Sequence, residues 1–160
     1  MAGESLQDAI NTVKNLNRKK MIGSIDYLGE NVFNENDTVK VVGVYMKLLD
    51  AIKRNKLSSD ISVKLTHLGL GINYDLCRSN LEKIVEKAKS TESFVEIDME
   101  GFDYTEGTLS IFFDARKKHK NVGIAIQAYL CRSEKDAKKL IDLESFVRLC
   151  KGAYKEPETT

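Results

Sequence analysis

An α/β fold built on parallel strands is the class that three features of this 160-residue sequence predict. Stretches with helical periodicity alternate with short runs rich in β-branched residues, at the spacing of βα units. Nothing interrupts the alternation, since the only proline is Pro157. Each short run is apolar in its middle and carries a polar residue toward its C-terminal side.

The elements follow in order. Ser5 and Asp8 form a capping-box variant, and Leu6, Ala9, Ile10, Val13 and Leu16 share one face of the first helix. "MIGSID" (21–26) is the first strand. A long helix from about Asn36 to Asn55 carries the stripe Val39, Val42, Tyr45, Leu48, Leu49 and Ile52. "DISVKL" (60–65) is the second strand. Asn73 caps a helix that runs to Lys89, with Leu76, Leu81, Ile84, Val85 and Ala88 inward. "FVEIDM" (94–99) is the third strand, and a helix over 105–120 carries Leu109, Ile111, Phe112 and Phe113. "NVGIAIQAYL" (121–130) holds the fourth strand, Ser133 with Asp136 opens a short helix, and "SFVRLCK" (145–151) is the fifth strand. The pattern is α(βα)4β, which calls for parallel strands joined by crossover helices.

Composition narrows the function. The chain is 42% hydrophobic and 31% charged, enough for one globular domain over 1–160. A net charge of +1 gives no support to a nucleic-acid partner. The basic runs "NRKK" (17–20) and "RKKHK" (116–120) fall at helix ends, where cations suit the helix dipole, and read as solvated. Cys77, Cys131 and Cys150 are too scattered for a disulfide framework or a metal site. Cys131 and Cys150 read as small buried apolar groups, and a reducing, cytoplasmic compartment fits. No apolar run reaches membrane-span length, and the N-terminus lacks a signal-peptide core.

The polar residues at the strand ends carry the argument. They are Asp26, Lys64, Asp98, Gln127 and Arg148, with Lys151 close behind. A buried, unpaired charge costs several kcal/mol, roughly, even after relaxation. One such residue reads equally well as a satisfied core group or a snorkelling rim residue. The repetition favours side chains projecting into one shared site at the C-terminal ends of the strands. An open doubly wound sheet and a (β/α)8 barrel both meet this description. "GLGIN" (69–73) lacks the third glycine of a dinucleotide turn, which favours the barrel.

"DYLGE" (26–30), "SVKLTHLG" (62–69), "VEIDMEG" (95–101), "IQAYL" (126–130) and "VRLCKGAYKE" (147–156) stand in the order and spacing of the flavin-dependent proline dehydrogenase family. The sequence resembles the monofunctional bacterial type over nearly its whole length. The resemblance implies a TIM-type (β/α)8 barrel that holds FAD and oxidises L-proline to Δ1-pyrroline-5-carboxylate in proline catabolism. It implies a quinone as electron acceptor, and so peripheral contact with the inner face of the cytoplasmic membrane. By the same resemblance Lys64 pairs with the proline carboxylate, and Asp98 belongs to the catalytic site, orienting and neutralising nearby cations. Met99 lies on the flavin side, and Gln127 hydrogen-bonds the isoalloxazine. Arg148 stands beside the flavin, where a guanidinium stabilises the negative charge that arrives with hydride. Lys151, Gly152 and Ala153 line the cofactor, Gly152 permitting close approach, and Tyr154 lies near the substrate. Asp26 and Glu30 read as structural, either bracing the barrel mouth or forming a salt bridge with a loop. Tyr129 and Arg132 read as packing residues at least as well as site residues.

Barrels of this kind ordinarily need about 250 residues and eight strands, so the predicted fold is a partial barrel. The family's helices before the first strand, its later strands and its final helix with adjacent arginines have no counterpart here. The chain is then expected to be a segment of a longer dehydrogenase, or to act with a complementing partner. The alternative is a truncated, catalytically inactive product that self-associates through open sheet edges and holds no FAD. A third reading is a stand-alone α/β module that binds some other small anion.

Overall fold

The computed structural model describes residues 3–154. Five strands, β1 (Gly23–Asp26), β2 (Ser59–Val63), β3 (Val95–Ile97), β4 (Val122–Gln127) and β5 (Val147–Cys150), alternate with five helices, α1 (Leu6–Arg18), α2 (Glu35–Arg54), α3 (Tyr74–Ser90), α4 (Phe102–Lys118) and α5 (Ser133–Asp142). All paired strands are parallel, in the order β1-β2-β3-β4-β5. A doubly wound sheet reverses its order at a switch point. Consecutive order is that of a barrel wall, so the five strands form a half-barrel.

Caps and periodicity set the helix boundaries. Ser5 and Asp8 close a reciprocal capping box on α1. The side chains of Asn34 and Asn73 accept from the Asp37 and Leu76 amides and start α2 and α3. Two starts differ from expectation. α4 begins at Phe102 rather than at residue 105, because Gly101 leads into it with no side-chain cap, so no capping signal is written in the sequence. α5 is preceded by Arg132 rather than capped by Ser133. The Ser133 hydroxyl donates to the Gln127 carbonyl instead, and Asp136 pairs with Arg132.

One face of the sheet packs on the helices. Ile61, Val63, Val95, Ile97, Val122 and Ile124 are fully buried and share a cluster with Leu49, Ile84 and Phe112. Each such side chain contributes about 1.5–3 kcal/mol by leaving water. The Tyr45 hydroxyl, also fully buried, donates to the Ser62 carbonyl at 3.0 Å and pins α2 to β2. The buried face of α2 runs through Thr38, Val41, Val42, Tyr45, Leu48, Leu49 and Ile52. Val39, expected in that stripe, is 67% exposed. It stands about 100° round the helix from Thr38, which takes the inward place.

Other expectations are also corrected. β1 starts at Gly23, leaving Met21 and Ile22 exposed ahead of it, and Leu6 at the start of α1 is exposed as well. Arg116 is buried rather than solvated, its guanidinium donating to the carbonyls of Lys120 and Glu144 at 2.7 Å each. Cys131 is exposed and Cys150 half-buried. The buried cysteine is Cys77, whose thiol burial pushes up to about 12.

The opposite, concave face is closed near the strand starts by two rings. A Cβ at Gly123 would lie 2.8 Å from the Phe94 ring and 2.9 Å from the Phe146 ring. The rings meet edge to face at 5.3 Å, and only glycine leaves them room. Among the described residues no helix is long and apolar enough to cross a membrane.

The assignment of the α2 face is testable by urea unfolding. Leu49→Ala should cost about 2–5 kcal/mol, whereas Val39→Ala should change stability by less than about 0.5 kcal/mol. Equal losses at the two positions would show that the helix face is misassigned.

Candidate functional site

Parallel strands bring their C-terminal ends together, and alternate side chains there point away from the helices. The register sets Asp26 opposite Ser62, Ser62 opposite Glu96, Ala125 opposite Arg148 and Gln127 opposite Cys150. Charged and polar groups from different strands therefore meet on the concave face.

Lys64 sits at the centre of this cluster. Its Nζ donates to Asp26 Oδ2 at 3.0 Å and to Asp98 Oδ2 at 2.8 Å, tying the end of β2 to those of β1 and β3. Partial burial works against the ammonium. The hydrogen bonds to Asp98 and Asp26 outweigh it and hold the pKa above the ordinary lysine value. Asp98 also accepts from Ser62 Oγ at 2.9 Å and from the Arg148 guanidinium. Arg148 Nε donates to Glu96 Oε1 at 2.5 Å. Two cations thus meet three carboxylates, and none of the five is left without a counter-charge.

Gln127 is 2% exposed and fully committed in orientation. Its Nε2 donates to the Glu100 carbonyl at 3.2 Å and its Oε1 accepts the Ala153 amide at 3.1 Å. The partners decide which way the amide faces, because only oxygen can receive the Ala153 N–H. Beyond β5 the chain runs against the loop that follows β4, with the Ala128 amide donating to the Cys150 carbonyl at 2.7 Å and the Tyr129 amide to Lys151 at 3.2 Å. Gly152 has φ +124°, and a Cβ there would lie 1.7 Å from the Tyr129 ring. The glycine is thus required by Tyr129 packing on it. The Tyr129 hydroxyl donates to the Tyr154 carbonyl at 2.8 Å. Tyr154 Oη in turn reaches Glu30 Oε2, 3.3 Å away in the loop after β1. Burial and the Glu30 charge push the Tyr154 phenol up to about 12.

All nine residues proposed from the sequence as catalytic, substrate-binding or cofactor-binding line one cavity of about 310 Å³, joined by Ala125 and Cys150. Asp26 and Glu30 are not in its lining; they hold Lys64 and Tyr154 respectively. Arg132 bridges Glu106 and Asp136 between α4 and α5, a packing role. Residues 155 and 156 of the last sequence motif lie outside the described residues.

Sequence reasoning missed four contributors. Ser62 and Glu96 stand two residues before Lys64 and Asp98, and Glu100 two after Asp98, so the strand period of two marks them. Thr66 follows Lys64 at the same interval and binds Glu100 through its amide at 3.0 Å and through its hydroxyl. A second cavity of about 260 Å³ lies between α3 and α4. Its charges pair among themselves, as Lys117 with Asp114 at 3.1 Å and Lys118 with Glu82 at 3.6 Å.

The arrangement leaves donors to spare. An ammonium has three N–H bonds, a primary amide two and a guanidinium five. Two are engaged at Lys64, one at Gln127 and two at Arg148. The cavity therefore offers fixed donors to an acceptor-rich or anionic ligand.

Comparison with known proteins gives this geometry a lineage. Residues 9–160 match the sequence model of the family described as proline dehydrogenase. The chain is 40% identical over 156 residues to Proline dehydrogenase 1 of Bacillus subtilis (strain 168), covering 98% of this chain and 52% of that protein. It is 34% identical over 168 residues to Proline dehydrogenase of Deinococcus radiodurans, covering 99% of this chain and 53% of that one. A solved structure of proline utilization A (PutA) from Bdellovibrio bacteriovorus, inactivated by N-propargylglycine, superposes with a TM-score of 0.85 at 25% identity, over 96% of this chain and 20% of that one. The chain spans about half the length of the curated relatives it matches. On this evidence the chain belongs to the proline dehydrogenase family.

Proposed function

We propose that this chain supplies the flavin-facing part of an FAD-dependent proline dehydrogenase, which oxidises L-proline to Δ1-pyrroline-5-carboxylate and passes electrons to a quinone. The observation that carries the reading is the convergence on one cavity of nine residues in or following the C-terminal ends of β2, β3, β4 and β5. The donor set suits FAD: Gln127 and Arg148 offer N–H groups to ring carbonyl and nitrogen acceptors, and Met99, Ala125 and Ala153 offer apolar wall. When bound, the flavin supplies the acceptor for the hydride equivalent from the proline ring.

The residues of the chain divide the remaining work. The third N–H of Lys64 binds the proline carboxylate, while Asp26 and Asp98 hold the ammonium in place so that it need not reorganise. Tyr154, fixed by Glu30, borders the substrate. Arg148, fixed by Glu96 and Asp98, keeps a positive charge on the cofactor side and favours the reduced form. In this reading the acceptor is a quinone dissolved in the membrane, so the whole enzyme is a cytoplasmic protein that meets the membrane surface peripherally.

A second reading, in which the chain self-associates without holding FAD, draws on the open sheet edges. Ile22 beside β1, and Phe146 and Leu149 beside or on β5, are 71, 56 and 65% exposed. Light scattering with flavin absorbance separates the two. A yellow species that bleaches with L-proline supports the enzyme, and a colourless high-mass species supports association alone.

Two further outcomes are expected in the flavin-loaded protein that carries these residues. Arg148→Met should lower the flavin reduction potential by roughly 30 mV, the two-electron equivalent of about 1.4 kcal/mol. An unchanged potential would remove Arg148 from the role. Lys64 and Tyr154 both have raised pKa values, so neither loses its proton between about pH 6 and about pH 9. Tyr154→Phe should therefore leave the shape of the pH profile of proline-driven flavin reduction unchanged while raising KM. Loss of an ionisation from that profile would contradict the assignment.

A further inference from the structure

One hydrogen-bonded thread crosses all five strand ends. The Asn31 amide, in the loop after β1, donates to Thr66 Oγ1 at 3.0 Å. The Thr66 hydroxyl, after β2, has a single proton and gives it to Glu100 Oε1, while the Thr66 amide donates to Glu100 Oε2 at 3.0 Å. Glu100, after β3, returns its backbone carbonyl to Gln127 Nε2 at 3.2 Å. Gln127, at the end of β4, receives the Ala153 amide, beyond β5, at 3.1 Å. Each donor and acceptor is used in a direction its chemistry allows.

Glu100 is the hub and the only ionisable member of the thread. It is 2% exposed and stands outside the cavity lining, so it is not placed to touch a ligand there. Burial raises its pKa, and the two bonds from Thr66 offset this in part. A buried carboxylate is poor packing material, since an apolar residue of similar volume is often as stable or more so. Its two oxygens nonetheless receive both hydrogen-bond donors of Thr66, and its backbone carbonyl holds the Gln127 amide that faces the cavity.

We infer that Glu100 is a positioning residue: it locks the loops after β1 and β2 to β3 and, through its carbonyl, sets the Gln127 amide and the segment carrying Ala153. The consequence for catalysis rests on the flavin reading above, whereas the mechanical link does not.

Amide hydrogen exchange on the full chain, read residue by residue by NMR, tests the link without flavin. Glu100→Gln replaces one acceptor by a donor, and Thr66→Val removes the hydroxyl at nearly constant shape. Each should speed exchange of the Asn31 amide and of the distant Ala153 amide by about tenfold or more, the scale of a lost charge-assisted hydrogen bond. Thr66→Ser, which keeps the hydroxyl, should restore both rates. Acceleration at Asn31 with Ala153 unchanged would overturn the positioning role, because a local structural contact moves only its neighbours. Should Glu100→Gln fail to fold, Thr66→Val decides alone. FAD titration of the same variants, followed by flavin fluorescence, separates the two claims. An Ala153 response in a chain that binds no FAD sinks the flavin reading only. FAD binding without an Ala153 response sinks the positioning role only.

Discussion

The ammonium of Lys64 lies 3.0 Å from Asp26 and 2.8 Å from Asp98, and the strand-end arrangement depends on that contact. Parallel strands hide their edges from water in the middle of the sheet, and a lone charge there would be expensive. Here one cation ties together three adjacent strand ends, so the ammonium offsets the burial cost of both carboxylates and they offset its own. The side chains are still 16–23% exposed, which limits the desolvation cost and leaves the third N–H of Lys64 for a ligand. Arg148 extends the same solution to β5 by pairing with Glu96 in β3 and with Asp98 just after it.

Stability and chemistry occupy opposite faces of the sheet. The helix side buries Ile61, Val63, Val95, Ile97, Val122 and Ile124, and this packing holds the strands in register. The concave side can then carry charge, because its residues are positioned by a sheet whose stability is supplied elsewhere. The register turns this into geometry. Side chains two residues apart on one strand form successive rows, and rows on neighbouring strands meet at ion-pair distance. The Tyr129 ring on Gly152 and the Phe rings on Gly123 close the two ends of the face where a side chain would not fit.

Much of this was legible in the sequence. Alternating periodicities revealed the α(βα)4β order, and Asn73 announced the start of α3 by its capping chemistry. The polar strand-end residues marked the face that holds the cavity. What escaped depends on three-dimensional competition. Ser133 was read as a cap, but its hydroxyl finds the Gln127 carbonyl, a partner that exists only after β4 turns into α5. Val39 fits a helical stripe as well as Val41 does until packing selects the face. Gly152 carries no hint that Tyr129 will lie on it. Glu100 could have been found by continuing the period of two past Asp98, but its partner Thr66 is brought to it only by pairing of β2 with β3.

The family assignment and the geometry meet at Lys64, and a double-mutant cycle on urea unfolding tests that contact most directly. Lys64→Met, Asp98→Asn and the double variant isolate the pair, since the bonds from Ser62 and Arg148 to Asp98 are altered equally with and without Lys64. The account predicts a coupling of about 1–3 kcal/mol, with the double variant less damaged than the sum of the singles. Losses that add to within about 0.3 kcal/mol would show that Lys64 and Asp98 merely lie close together. The strand-end cluster would then have no central contact.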